Sequence, residues 1–294
     1  MRSVLGDRRA IAILLGPALV VYTLVMLVPI FWSLGYTFFT GNVIEGFTPN
    51  GFGNFEKLWS DPHASSALGF TIKYALVVTI GQVTLGYLLS LLYVFVLRNS
   101  SAIVRTLVFF PVILPTVAVA LLFQKLFTVA PQEGLANVAL SAVGVAPHDW
   151  LGSASGAFWV LVAMDLWRSM GFYGVLIFAG LLDIPEETLE SARLDGATGF
   201  RLVRHIVLPL SMPVLLSAVV FSINGTLKVF DSILALTNGG PGSDTTPLTL
   251  YMYRTAFNYG DYGYGSTIAL MLTVVCLGVT LFIFRFSRRD LTKG

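Results

Sequence analysis

The stretch EETLESARLDGATGFRLVRHIVLP, Glu186 to Pro209, lies between two strongly apolar runs and is the most polar interior segment of the chain. Pro185 suits the first position of a helix, and Glu186, Glu187 and Glu190 set negative charge at its positive dipole end. Small side chains follow at Ser191, Ala192, Gly196 and Ala197, so one side of this helix carries little bulk and its backbone can lie close to another protein. Gly196 permits a sharp turn. Arg201, Arg204 and His205 then return the chain to a membrane surface before Ile206 opens the next apolar run. The segment reads as a short helix over about 186–198, held under a membrane and presented to a partner. Its docking residues are expected to be Glu187, Glu190, Ser191, Ala192, Asp195, Gly196 and Ala197.

The remainder of the sequence supplies that membrane. The 294 residues are 55% hydrophobic and only 12% charged, with a mean hydropathy of +0.79. A soluble domain carries about 25% charged residues, so a soluble class is excluded. A net charge of +2 without a basic stripe or nucleic-acid motif also excludes nucleic acid as a partner. The single cysteine, Cys276, cannot form an internal disulfide and sits in an apolar run, where packing or lipid contact is its expected role. His63, His148 and His205 are too scattered to suggest a local metal site.

A bilayer core requires about 20 apolar residues in a helix. Six stretches qualify, at approximately 10–33, 70–97, 104–127, 156–182, 205–228 and 266–286. The first follows Arg2, Arg8 and Arg9, but it is too long for a cleaved signal and lacks a small-residue cleavage site, so it reads as a retained helix. With the N-terminus inside, the inner segments hold twelve of the eighteen Lys and Arg residues: Arg2, Arg8, Arg9, Arg98, Arg105, Arg193, Arg201, Arg204, Arg285, Arg288, Arg289 and Lys293. That bias puts both termini and the Glu186 segment in the cytoplasm. Of the outer segments, 35–69 carries turn and cap signals at Phe52-Gly53-Asn54-Phe55 and Asp61-Pro62 and reads as a small lid.

Glu190-Ser191-Ala192, Gly196 after three more residues, Ile206 after nine more and then Leu208-Pro209 match the pattern E-A-A-x3-G-x9-I-x-L-P. In these residues the chain resembles the membrane-spanning subunits of bacterial ABC importers, with Ser191 a small-for-small departure at the first alanine. A second stretch, Phe230-Asp231, Thr237-Asn238-Gly239-Gly240-Pro241, Thr246, Tyr251, Tyr253, Arg254, Phe257 and Gly263-Tyr264, is similar to the carbohydrate-uptake branch of those permeases, the relatives of maltose and glycerol-3-phosphate transporter subunits.

The resemblance covers nearly the whole chain. It implies an all-α membrane protein of six transmembrane helices, a type I ABC importer permease in one domain over 1–294. It further implies a second homologous permease, two ATPase subunits and an external sugar-binding protein as partners, and a substrate held by the fifth and sixth spans. The chain has no G-x4-G-K-[ST] phosphate loop and no catalytic cluster. It is therefore expected to bind no cofactor and to be no enzyme, with ATP and magnesium used by the partner ATPases. A di- or oligosaccharide is the first expected cargo; a monosaccharide, a polyol, glycerol-3-phosphate or a related phosphodiester is the alternative. From another class, an ion-gradient-driven secondary transporter fits the hydropathy but gives the patterned inner loop no role.

Charged groups inside a bilayer cost about 2.5–3.5 kcal/mol each on insertion scales and usually face a bundle interior or a water-filled path. Asp165 and Arg168, three apart in the fourth span, either neutralise each other and orient that helix or belong to the substrate path. Asn224 and Lys228 are four apart, with Asp231 continuing the line. They either supply donors and acceptors for sugar hydroxyls or mark the membrane boundary. Gly225 can loosen the helix where it lines a cavity. Tyr173, Tyr251, Tyr253, Phe257, Tyr262 and Tyr264 can stack on sugars or anchor at the interface. Pro111 and Pro115, and Pro209 and Pro213, are expected to bend the third and fifth spans.

Overall fold

The computed structural model describes residues 8–97, 100–129 and 132–291, and the side chains of 12–97, 100–129 and 132–285. Of the basic residues that set the expected orientation, Arg2, Arg98 and Lys293 lie outside the described residues, as do the side chains of Arg8, Arg9, Arg288 and Arg289.

The described chain is helical apart from one hairpin. Its elements are α1 (Ala12–Tyr36), β1 (Phe39–Asn42), β2 (Gly46–Pro49), α2 (Gly53–Ser60), α3 (Pro62–Leu97), α4 (Ser101–Ile113), α5 (Thr116–Leu126) and α6 (Leu135–Ala142). They continue with α7 (Ala154–Leu182), α8 (Glu186–Leu194), α9 (Gly199–Leu210), α10 (Met212–Leu227), α11 (Asp231–Leu236), α12 (Leu248–Tyr253) and α13 (Tyr262–Leu291). Among the described residues four helices, α1, α3, α7 and α13, are long and apolar enough to cross a membrane, and the number rises to six when the bent pairs α4–α5 and α9–α10 each count as one crossing.

The bends have local causes. Leu114 leaves the helical region (φ −68°, ψ 139°) directly before Pro115, as the ring of a following proline demands, and α4 and α5 diverge by 94°. Between α9 and α10 the chain turns by 70° at Ser211, with Pro209 two residues before it and Pro213 two after. The prolines thus break these two helices more sharply than a simple kink.

The chain divides into two compact units, Met1–Ala64 with Tyr251–Thr273 and Ser65–Leu250 with Val274–Gly294. In the first unit the hairpin pairs Phe39 with Pro49 and Asn42 with Gly46, and Asn42 Oδ1 accepts from the backbone N–H groups of Ile44 and Glu45 to close its turn. The buried amide of Asn54 donates to the carbonyls of Thr37 and Phe39 at 2.9 and 2.8 Å, tying α2 to the hairpin. Asp61 Oδ1 accepts from the N–H of His63 at 2.8 Å and caps α3. The expected lid over 35–69 is therefore a hairpin and a short helix.

The second unit is built on α7, whose apolar stretch is 56% buried, whereas that of α1 is 0% buried within this chain. Tyr74 and Val78 of α3, Val119 and Phe123 of α5 and Ile233 of α11 pack on the half of α7 that carries Phe158, Leu161 and Met164. The other half of α7 packs α4 closely enough that a Cβ on Gly171 would stand 2.3 Å from the carbonyl oxygen of Val108. Cys276 is buried and free.

Candidate functional site

The second unit contains a cavity of about 300 Å³ among α3, α7, α10 and the chain that follows α10. Of the residues expected on a substrate path, Asp165, Arg168 and Tyr173 line it from α7, and Lys228 and Asp231 line it from the far side of α10. Asn224 does not. Its amide donates to Val220 O at 2.9 Å and to Thr280 Oγ1 at 3.1 Å, which turns it toward α13. The expected line of Asn224, Lys228 and Asp231 along one helix face fails because α10 stops at Leu227. Lys228 already has ψ 18°, and Phe230 lies at φ −144°, ψ −64° before α11 begins. Residues beyond a helix end do not follow its 3.6-residue period. Gly225 does line the cavity, and nothing lies within 4 Å of the position a Cβ would take there.

Asp165 and Arg168 do not simply neutralise each other. Their nearest atoms, Arg168 Nε and Asp165 Oδ1, are 3.8 Å apart, and each is buried without a hydrogen-bond partner. Asp165 Oδ2 instead accepts from the hydroxyl of Tyr74 at 2.6 Å, with Ser232 Oγ at 3.5 Å. The pair is held in place from one side, and one donor and one acceptor beside the cavity have no hydrogen-bond partner.

A chain of uncharged polar groups completes the wall. Gln82 Nε2 donates to Ser169 Oγ at 2.8 Å, Ser222 Oγ donates to Gln82 Oε1 at 2.6 Å, and Thr79 Oγ1 stands 3.3 Å from Thr226 Oγ1. Nothing in the sequence singles out lone Ser, Thr and Gln residues in apolar runs. The available signals are local spacings such as Ser222 with Thr226 and Asp165 with Ser169, each four apart on one helix face.

The acidic segment forms the expected helix, α8, with Glu186 and Glu187 in its first turn and Arg193 in its last. Gly196 ends it at φ +85°, a conformation that a side chain strains. Glu187, Glu190, Ser191, Asp195 and Gly196 are exposed, as a docking surface needs. Ala192 and Ala197 are not part of that surface. Ala192 is 7% exposed in a core cluster with Tyr173, Ile177, Leu181, Val207, Leu215 and Ala218, and Ala197 packs partly buried against the same cluster. Their small size serves close packing against this chain. In exchange, Leu194 and Phe200 stand in the open at 90% and 76% exposure. Apolar residues read singly in a sequence are expected inward, so both were missed.

Two of the tyrosines considered for sugar stacking have another task. In the first unit Tyr251 and Tyr264 both direct their hydroxyls to Asp61 Oδ2 at 2.5 Å. Burial raises the pKa of Asp61, but the donors from Tyr251 and Tyr264 and the N–H groups of His63 and Ala64 outweigh it and hold the carboxyl below its ordinary value. Burial and the Asp61 carboxylate push the Tyr251 hydroxyl far above its usual range. Tyr253, Phe257 and Tyr262 form a run of ring contacts with centroids 5.3 and 5.8 Å apart.

Apolar membrane-length helices around a polar cavity, with an acidic helix projecting from one connection, define a membrane transport subunit. The chain belongs to the family of the binding-protein-dependent transport system inner membrane component, whose model matches residues 82–290, and it is a multi-pass inner-membrane protein. It is 32% identical over 281 residues, 93% of this chain and 94% of its counterpart, to the probable ABC transporter permease protein YurN of Bacillus subtilis. It is 35% identical over 210 residues, 70% of each chain, to the trehalose/maltose transport system permease protein MalF of Thermococcus litoralis. Its fold matches a chain of the bacterial alginate ABC transporter solved in complex with alginate pentasaccharide-bound periplasmic protein, at a TM-score of 0.83, 24% identity and 98% coverage of both chains.

Proposed function

We propose that this chain is one of two homologous permeases in an ATP-driven importer that takes a di- or oligosaccharide from an external binding protein and releases it to the cytoplasm by alternating access. In this reading the chain crosses the membrane six times with both termini and α8 on the cytoplasmic side. ATP and magnesium are bound by two separate ATPase subunits, and this chain carries no cofactor and does no chemistry. The uncovered apolar face of α1 is the surface for lipid and the second permease.

The observation that carries the proposal is a shared core. Ala192 of α8 and Tyr173 of the cavity wall belong to one packed cluster. A packed core has few voids and behaves as a stiff body, so displacement of α8 reaches the cavity. The 70° turn at Ser211 gives α10 a hinge within the same connection. Closure of the ATPases moves α8, and the cavity then opens toward a loaded binding protein.

The charges in the cavity support a neutral, hydroxyl-rich cargo. Two cations, Arg168 and Lys228, and two carboxylates, Asp165 and Asp231, line it, and the remaining polar groups are hydroxyls and an amide. A phosphate ester would want an excess of cations, and this lining holds as many carboxylates as cations. A volume of about 300 Å³ is at the small end of ligand sites, about 300–1,000 Å³, so a longer glycan would occupy it one or two rings at a time.

The test uses the assembled complex in liposomes. Leu194→Asp puts a charge where an apolar side chain stands free, and it should lower binding-protein-stimulated ATP hydrolysis and sugar uptake together by about tenfold or more, the scale of an interface anchor. Unchanged coupling in Leu194→Asp and Phe200→Asp would remove α8 as the handle. Uptake by this chain alone under an ion gradient would replace the whole reading with a secondary transporter.

A further inference from the structure

A second cavity of about 480 Å³ lies between the end of α3 and the α8–α9 connection. Leu92, Phe95 and Val96 form one wall, Leu202 and Val203 lie opposite, and Arg193 lines it as well. Leu92–Leu97 and Val203–Val207 are both π-helical, wider than an α-helix, and such turns frequently mark functional positions. The groove is continuous with the membrane-facing surface of α3, where Leu88 and Val96 are 57% and 69% exposed.

Among the described residues, Arg193 is the only charged one lining this groove. No carboxylate of the described residues lies within 4.0 Å of its guanidinium. Exposed Arg201 and Arg204 follow on the same connection, while the carboxylates of Glu186, Glu187, Glu190 and Asp195 do not line the groove. Two other apolar cavities differ. One of about 390 Å³, near Trp32 and Phe257, has no charged residue in its lining. In another, of about 450 Å³, the guanidinium of Arg105 is already occupied, donating to Ser101 O at 3.3 Å and lying over the Phe178 ring at 4.2 Å.

We propose that the α3/α9 groove holds one anionic phospholipid of the cytoplasmic leaflet, with an acyl chain against Leu92, Phe95 and Val96 and the phosphate on Arg193. The lipid leaflet is the source that combines both chemistries: it borders α3 directly and offers negative headgroups at the depth where a basic side chain ends the apolar wall. The inference rests on the cytoplasmic placement of α8 proposed above. A lipid seated there touches the same connection that carries α8, so its occupancy would tune how firmly that helix is held.

The experiment purifies the assembled transporter in detergent with equal amounts of phosphatidylglycerol and phosphatidylcholine and counts retained lipids by native mass spectrometry. The wild-type complex should retain phosphatidylglycerol in preference to phosphatidylcholine, and Arg193→Gln should reduce that retention about fivefold, the effect of one basic residue at an anionic surface. Leu92→Trp, which fills the groove without changing charge, should remove the same adduct. Equal phosphatidylglycerol retention in all three complexes overturns the proposal, as does loss of a protein subunit rather than a lipid in either variant. If ATP-dependent uptake proceeds while lipid retention is equal throughout, the lipid site falls and the transport reading stands. Selective retention without ATP-dependent uptake has the opposite meaning.

Discussion

Asp61 and Asp165 are two carboxylates gripped by tyrosine, and their surroundings differ in completeness. Asp61 receives two phenol hydroxyls and the N–H groups that begin α3, so its acceptor capacity is used by its own unit. Asp165 receives Tyr74 on one oxygen, while the other faces Arg168 at 3.8 Å with neither atom hydrogen-bonded. The first is a closed knot that fixes a loop module to its neighbouring helix. The second is an open pair beside a cavity. A partly buried charge that is fully satisfied serves the fold, whereas a buried one left half-satisfied beside a cavity marks a candidate site.

The contrast breaks most visibly at Arg168. Arg168→Ala leaves Asp165 buried without its cation and removes a cavity donor, and sugar uptake by the reconstituted complex should fall about thirtyfold or more, about 2 kcal/mol or more. Retention of wild-type uptake would make the pair structural, like the knot. Asp61→Ala should act in the other sense. Two phenol hydroxyls lose a charged acceptor, and a thermal melt of the purified protein should show a loss of about 2 kcal/mol, with the transport of the folded fraction carrying less of the defect.

The smallest effect separates the two sites by pH. The Asp61 carboxyl is held below its ordinary value in the folded protein, so its ionised form stabilises the fold above an unfolded pKa of about 3.9. That contribution is lost as pH falls through the lower folded value. Melting curves of wild type and Asp61→Ala should therefore converge as pH drops below about 4 and stay apart above it. A gap that persists at low pH would mean that packing, not the charge, holds the knot.

Much of this arrangement can be read from the chain. Expected spans at 70–97, 156–182 and 266–286 correspond to Pro62–Leu97, Ala154–Leu182 and Tyr262–Arg285, because long apolar runs leave little freedom for their secondary structure. The acidic start of α8 and its stop at Gly196 were legible through dipole and turn chemistry. What hydropathy does not carry is direction. It gave prolines in the third and fifth spans but not turns of 94° and 70°. Helical arithmetic placed Asn224 with Lys228 and Asp231, and it failed where the helix ended at Leu227. The Gln82, Ser169 and Ser222 network joins three helices far apart in sequence, so no local pattern could announce it. Asp61 was recognised as a cap, yet its tyrosine partners lie about 190 and 203 residues away.

The burial of Ala192 has a consequence for how such subunits can change over time. In nine residues α8 has two sides: the inward one packs with Tyr173 and Leu215, while the outward one, in the importer proposed above, meets an ATPase. The two sets of residues interleave along one rod without overlapping. If α8 is the handle proposed above, a permease of this kind could be refitted to a foreign motor by redrawing Glu187, Glu190, Leu194 and Asp195 alone, its cavity left intact.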